Sequence, residues 1–269
     1  ATLGSKTFRR FIEVELWREP HLESLFPILC QIEQACRDVS RLVRRVQTDD
    51  LHGYHGEDNI TSINIQGEDQ RKLDVIANRI FKTALCCSGV VGVVASEEEE
   101  VPTLCSTVVD NAAFSGEYAV VFDPLDGSLN VDTGLPTGSI FGVYRTPSYG
   151  HTDVMATAMQ RGVELVAAGD CLYSAATTMT CTLRTGVHMF ALDDYSGDFH
   201  LTRSNVRIPR LHESGPPGVL SVNDANGRDW PPAVRHFVED VRDRSAAGLG
   251  GGGRSPPAPP APGGGAAAS

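Results

Sequence analysis

Two acidic clusters hold the residues best suited to chemistry. Val93-Val94-Ala95-Ser96 runs into Glu97-Glu98-Glu99-Glu100, and Val120-Val121-Phe122 runs into Asp123-Pro124-Leu125-Asp126-Gly127-Ser128. Each apolar run reads as a buried strand, so each cluster falls at a strand end. If those strands are neighbours, the carboxylates of Glu97, Glu98, Asp123 and Asp126 make a hard oxygen donor set of the kind that holds Mg²⁺. Leu125 can add its backbone carbonyl, because Pro124 stiffens the turn. The plainer readings are a solvated Glu run and a tight turn. The placement of both clusters after buried strands favours metal. Residues 126–130 can open a short helix or turn whose N–H groups face an anion, with Gly127 allowing close approach. A carboxylate nest beside such a turn is the equipment of a phosphate-ester hydrolase, in which a divalent cation neutralises phosphoryl oxygens and activates a water. Asp74, on a helical pattern, is a candidate for orienting that water, its plainer role being a local cap or pair.

The elements that must position these residues follow from periodicity. Leu22, Leu25, Phe26, Leu29, Ile32, Cys36, Val39, Val43 and Val46 recur at helical steps, with Pro20 in the first turn. A second helix is expected over 69–87. Strands are expected at 90–95, 118–122, 139–144 and 163–168, a helix over 172–183, and a hairpin of 187–192 with 199–202. A last strand at 219–222 and a last helix over 231–243 complete the folded part. The mixture predicts an α/β (or α+β) protein of layered sheets. Residues 245–269 are almost all Gly, Ala, Pro and Ser and have little to bury, so they are expected to be disordered.

Composition narrows the function further. The chain has 269 residues and a net charge of −11, a poor match to nucleic-acid backbones, which demand clustered Lys and Arg. The one basic stretch, 37–45, reads as the solvated face of a helix. No apolar run approaches the roughly 20 residues that cross a bilayer, so neither a nucleic acid nor a membrane is an expected partner. Cys30, Cys36, Cys86, Cys87, Cys105, Cys171 and Cys181 are odd in number and show no CxxC spacing. They read as buried thiols in a reducing compartment, with Cys86-Cys87 packing as small hydrophobes rather than as a redox pair. His52 and His55 lack partners at ligand spacing and read as surface residues rather than a zinc site. No signal-like N-terminus is present, so a targeting peptide is expected to have been removed or never included.

Six segments occur in order: GEDQRKLDVIAN (67–78), ASEEEE (95–100), VVFDPLDGSLNVD (120–132), GSIFGVYR (138–145), ELVAAGDCLYSAAT (164–177) and GDFHLT (197–202). Together they resemble fructose-1,6-bisphosphatase, within the inositol-monophosphatase-like superfamily of Mg²⁺-dependent phosphatases. The resemblance implies a layered αβαβα fold with its second domain truncated. It would be divided into an N-terminal metal-binding domain at 7–145, a partial C-terminal domain at 146–244 and the tail at 245–269. It implies a homotetramer hydrolysing the 1-phosphate of fructose 1,6-bisphosphate, with Mg²⁺ on Glu97, Glu98, Asp123, Asp126 and the Leu125 carbonyl. Catalytic acids fall on Asp74, Glu68 and Glu98, with Asp69 adjacent; phosphate contacts fall on Gly127 and Ser128, and a sugar contact on Asn223. Alternatives are sedoheptulose 1,7-bisphosphate or an inositol phosphate as substrate, or a truncated, non-catalytic subunit that binds full-length relatives.

Departures from the family pattern sharpen the expectations. Leu129 replaces a second Ser after Asp-Gly-Ser, and the Tyr expected soon after Asn223 is missing. Beyond about Val241 the family continues through strands that hold the 6-phosphate and one more metal-binding Glu. Glu117 stands where AMP-inhibited relatives carry Lys, so weak or absent AMP inhibition is expected. Residues 146–160 contain no Cys, which argues against thioredoxin control through the insertion that plastid relatives carry there. The segments look more like plant and algal relatives, implying the chloroplast stroma, with the cytoplasm as the alternative.

Overall fold

The computed structural model describes residues 6–46, 48–49, 72–109, 116–147, 153–208 and 220–246. Two compact units divide the chain, Ala1–Arg207 and Ile208–Ser269.

The first unit is built on one eight-stranded sheet. Its strands are β1 (Val91–Ser96), β2 (Thr103–Leu104), β3 (Tyr118–Asp126), β4 (Thr137–Arg145), β5 (Leu165–Tyr173), β6 (Thr178–Thr182), β7 (Val187–Leu192) and β8 (Phe199–Arg203), in the spatial order β2-β1-β3-β4-β5-β6-β7-β8. Among the described residues, only β1 and β3 pair in parallel, with Ala95 opposite Val121 and Ser96 opposite Phe122. All other neighbours are antiparallel. A parallel pair brings two strands' C-terminal ends to one edge of the sheet; here those ends are the two acidic clusters.

Helices α1 (Phe8–Arg18), α2 (Leu25–Arg44) and α3 (Lys72–Cys86) contribute to the main core. Helix α1 starts where the Thr7 hydroxyl accepts the Arg10 N–H at 3.4 Å. It buries Phe8, Phe11, Ile12 and Leu16 at helical spacing. The buried Glu33 carboxylate on α2 accepts Arg9 Nε at 2.8 Å and faces Arg37 Nη2 at 3.2 Å, tying α1 to α2. On α3, Phe81 stacks on Phe122 of β3 at 5.4 Å. Short α4 (Val154–Ala158) joins Val93 and Ala119 in a second, smaller cluster. The edge strand β8 is met by the N-terminal segment: Thr7 bridges to His200, and Leu201 N–H donates to Lys6 O at 2.9 Å.

Several expectations change. Helix α1 was not anticipated. Residues 172–183 are not a helix; they close β5 and form β6, where Met179 and Cys181 are buried while Thr178, Thr180 and Thr182 are half-buried. Leu220–Val222 form no strand, and Val219 lies outside the described residues. A boundary placed at 145/146 falls between β4 and β5, which pair from Thr137↔Tyr173 to Tyr144↔Leu165 in the same sheet. The thiols are not all free: Cys86 and Cys105 form a disulfide, while Cys36, Cys171 and Cys181 are buried and Cys87 is exposed. The two neighbours Cys86 and Cys87 differ because successive helical residues point about 100° apart.

In the second unit, α5 (Pro232–Ala246) buries Val238 and exposes Val234 and Phe237. The tail expected at 245–269, apart from the helical Ser245 and Ala246, lies outside the described residues, as do His52 and His55.

Candidate functional site

The C-terminal edge of β1 and β3 is held by backbone geometry before any side chain acts. Glu97 N–H donates to Phe122 O at 3.0 Å, extending the parallel ladder one step beyond Ser96 and fixing Glu97 beside the start of the second cluster. Glu98 N–H reaches the Ser96 hydroxyl at 3.3 Å. In β3 the pairing with β4 shifts register between Asp123 and Asp126. Pro124 lies within that irregularity, as suits a residue with no N–H to give. The bulge is fastened on both sides. Leu125 N–H donates to Asp123 Oδ1 at 3.0 Å, and the Ser139 hydroxyl donates to Pro124 O at 2.7 Å while its oxygen accepts the Tyr173 hydroxyl at 2.7 Å.

Gly127 then turns the chain. Its φ of +75° is left-handed, and a Cβ there would lie 3.1 Å from Asn130 Nδ2. A 3-10 segment, Ser128–Thr133, follows directly, closed by Asn130 N–H to Gly127 O at 2.8 Å. The expected short helix or turn after Asp126 is therefore present. The Ser128 hydroxyl crosses to α3 and donates to Asp74 Oδ2 at 3.2 Å. Asp74 is 4% exposed, in the first turn of α3.

Electrostatics shows which of these acids meet. Burial pushes the Asp123 carboxyl up to about 6; the Leu125 N–H opposes this, and the charges of Asp126, Glu97 and Asp74 add to it. Four carboxylates from β1, β3 and α3 thus share one region. Among the described residues, no three His, Cys, Asp or Glu side chains are arranged as a closed metal-ligand group. The donor chemistry nevertheless fits a hard divalent cation. The groups are carboxylates with an adjacent peptide carbonyl, and their mutual repulsion is what a cation relieves.

Glu99 behaves differently from its neighbours. It accepts Asn78 Nδ2 at 2.9 Å, Lys82 Nζ at 2.6 and 2.8 Å and the Thr103 hydroxyl at 3.0 Å. Burial opposes its ionisation, but these bonds outweigh that and hold its pKa below the ordinary range. Lys82, Asn78, Thr103, Ser139 and Tyr173 were not singled out in the sequence. Lys82 sits eight residues after Asp74, two helical turns along the same face, which is the signal that could have found it.

Of the remaining expected residues, Glu68 and Asp69 lie outside the described residues. Asn223 belongs to the second unit, where its Oδ1 caps a 3-10 turn by accepting Ala225 N–H at 3.1 Å. Glu117 accepts the Ser24 hydroxyl at 2.9 Å, and the Ser24 oxygen accepts the Tyr118 hydroxyl at 2.8 Å. Arg145 lies over the Tyr118 ring, 5.3 Å from its centre, and donates to His21 O at 2.6 Å.

Comparison with known proteins gives a consistent answer. The family model described as "Fructose-1-6-bisphosphatase, N-terminal domain" matches residues 6–204. The chain is 39% identical over 232 residues to the chloroplastic fructose-1,6-bisphosphatase of Triticum aestivum, covering 82% of this chain and 53% of that protein. It is 38% identical over 237 residues to the chloroplastic enzyme of Pisum sativum, covering 82% and 54%. Leishmania major fructose-1,6-bisphosphatase in holo form superposes with a TM-score of 0.74 at 31% identity, over 87% of this chain and 68% of that one. The chain spans about half the length of the curated relatives it matches.

Proposed function

The chain belongs to the fructose-1,6-bisphosphatase family, its residues 6–204 matching the family's N-terminal domain, and on that footing we propose that it serves Mg²⁺-dependent hydrolysis of the 1-phosphate of fructose 1,6-bisphosphate. Water adds to phosphorus, the bond from phosphorus to the C1 oxygen breaks, and fructose 6-phosphate and inorganic phosphate leave, with no phosphoenzyme. The observation that carries this reading is the gathering of Glu97, Asp123, Asp126 and Asp74 around the β1–β3 edge, immediately before the left-handed turn at Gly127.

The residues divide the work. Glu97, Glu98, Asp123, Asp126 and the Leu125 carbonyl would hold Mg²⁺. When bound, the cation supplies charge neutralisation at the phosphoryl oxygens and a lowered pKa for water. The Gly127–Ser128 turn presents backbone N–H groups to the phosphate and sets its orientation. Asp74, with Glu68, positions the attacking water and takes its proton. Asn223 would contact the sugar. The curated relatives carry chloroplastic names, which supports a plastid location, and the family supports a tetramer.

Phosphate release by the purified chain with Mg²⁺ tests the reading. Fructose 1,6-bisphosphate should be turned over faster than sedoheptulose 1,7-bisphosphate or an inositol monophosphate. Activity only on mixing with a complete relative would assign the chain an assembly role instead. Glu117 stands where AMP-inhibited relatives carry Lys, and a carboxylate there should repel a phosphate, so AMP should inhibit weakly or not at all; potent inhibition in a titration would overturn that assignment.

A further inference from the structure

Glu97 and Glu98 lie between β1 and β2, and β2 is a poor anchor. Among the described residues it is an edge strand of two residues, paired only through Val93↔Leu104 and Val94↔Thr103. The segment is secured instead by Glu99. Lys82 Nζ and Asn78 Nδ2 reach its Oε1, and Lys82 Nζ and the Thr103 hydroxyl reach its Oε2. Lys82 also comes within 3.3 Å of the Thr103 hydroxyl, so its three donors all have acceptors here. Four bonds fill the roughly four lone-pair positions of the Glu99 carboxylate and leave none for a cation. Asp74, Asn78 and Lys82 follow one another at single-turn spacing on α3, hence on one face. One side chain therefore joins the segment bearing Glu97 and Glu98 to the helix bearing Asp74.

The pair is well placed for this task. The Lys82 and Glu99 side chains are 18% and 28% exposed. A charge-assisted bond so shielded is stronger than an exposed ion pair. One turn beyond Lys82, Cys86 is bonded to Cys105, two residues past Thr103. The same two elements are thus joined twice, covalently at one point and by ionic hydrogen bonds at the other.

We propose that Lys82 and Glu99 are positioning residues for the phosphatase site: Glu99 takes no part in binding cation or substrate, and clamped by Lys82 it fixes where Glu97 and Glu98 stand relative to Asp74. The inference rests on the reading of those three acids as site residues. It separates the roles of chemically identical neighbours in the run at 97–100 and assigns Lys82 a place in the machinery.

The test is calorimetric titration of Mg²⁺ alone into the whole chain, with hydrogen exchange of the metal-free chain beside it. Lys82→Met should weaken Mg²⁺ binding by about 10- to 100-fold, the range seen when groups that orient metal ligands are lost. Amide exchange at Glu98 and Glu99 should speed up while the β3–β4 amides stay protected. The disulfide keeps α3 attached to the segment, and Glu99→Gln, of equal size, provides a second variant should Lys82→Met fold poorly. Lys82→Arg should recover most of the affinity. Wild-type chain that binds Mg²⁺ together with Lys82→Met and Glu99→Gln that bind it equally well overturns the clamp and leaves the phosphatase reading standing. Lys82→Arg as impaired as Lys82→Met reduces Lys82 to packing. Wild-type chain that takes up no Mg²⁺ removes the reading of Glu97 and Glu98 and the clamp with it.

Discussion

Where β6, β7 and β8 fold back on one another, apolar packing holds the sheet: Phe8 and Phe11 of α1 meet Phe190 edge-on at 5.0 and 5.3 Å, and Phe11 leans on His188 at 4.5 Å. Where β1 runs beside β3, hydrogen-bonded polar groups and a disulfide are added to the apolar contacts: Lys82 with Glu99, Ser139 with Pro124 and Tyr173, Ser128 with Asp74, and Cys86 with Cys105. Apolar contact is non-directional and fixes density rather than position. Directional bonds cost more to arrange and hold individual atoms in place. In the half of the sheet that gathers four like charges, such bonds reach those acids and the segments that carry them.

Four perturbations test this contrast on the scale of folding stability. Phe190→Ala should be the most damaging, costing about 3–5 kcal/mol through lost burial and a cavity, while Mg²⁺ affinity per folded molecule stays unchanged; denaturant unfolding and calorimetry together check both halves. Reduction of Cys86–Cys105 comes next. Its 19-residue separation corresponds to about 3 kcal/mol of denatured-state entropy. Thiol titration under denaturing conditions should rise from five free cysteines to seven, the two bonded ones adding to the five already free.

Asp123→Asn should change stability by less than about 1 kcal/mol. The Asn carbonyl oxygen can still accept the Leu125 N–H, and a charge that its neighbours oppose is removed, whereas Mg²⁺ binding should disappear. The smallest effect is a pH slope. Burial pushes the His188 imidazole below its ordinary 6.5, Lys6 acts in the same direction and Glu15 opposes. The unfolded chain then binds a proton more readily than the folded one. Melting temperature should fall as pH drops through about 6.5 and level off below the folded-state value, and His188→Gln should flatten that portion of the curve.

Legibility in the sequence follows the same division. Runs such as Val120-Val121-Phe122 are continuous, apolar and short, and they announced β1 and β3 with the acids that follow them. The 178–182 strand was hidden because Thr carries one face of it. The alternation of Thr178, Thr180 and Thr182 with Met179 and Cys181 has period two, yet it is less apolar than its neighbours. Helix α1 had a readable signal in Thr7 followed by Phe8, Phe11, Ile12 and Leu16. The roles within Glu97-Glu98-Glu99 could not be read, because identical side chains are told apart only by their partners, and Lys82 is 17 residues from Glu99. The same holds for Cys86, whose partner is 19 residues away.

The meeting of Lys6 and Thr7 with β8 has a bearing on how the polypeptide is made. The first helix leaves the ribosome early, but His200 and Leu201, which its leading residues join, emerge roughly two hundred residues later. At bacterial or eukaryotic elongation rates of about 5–20 residues per second, that is a wait on the order of ten seconds or more. Throughout it, Phe8, Phe11, Ile12 and Leu16 have no finished sheet to settle on. Nascent chains of this protein should therefore depend on holding factors until the final strand of the sheet is synthesised.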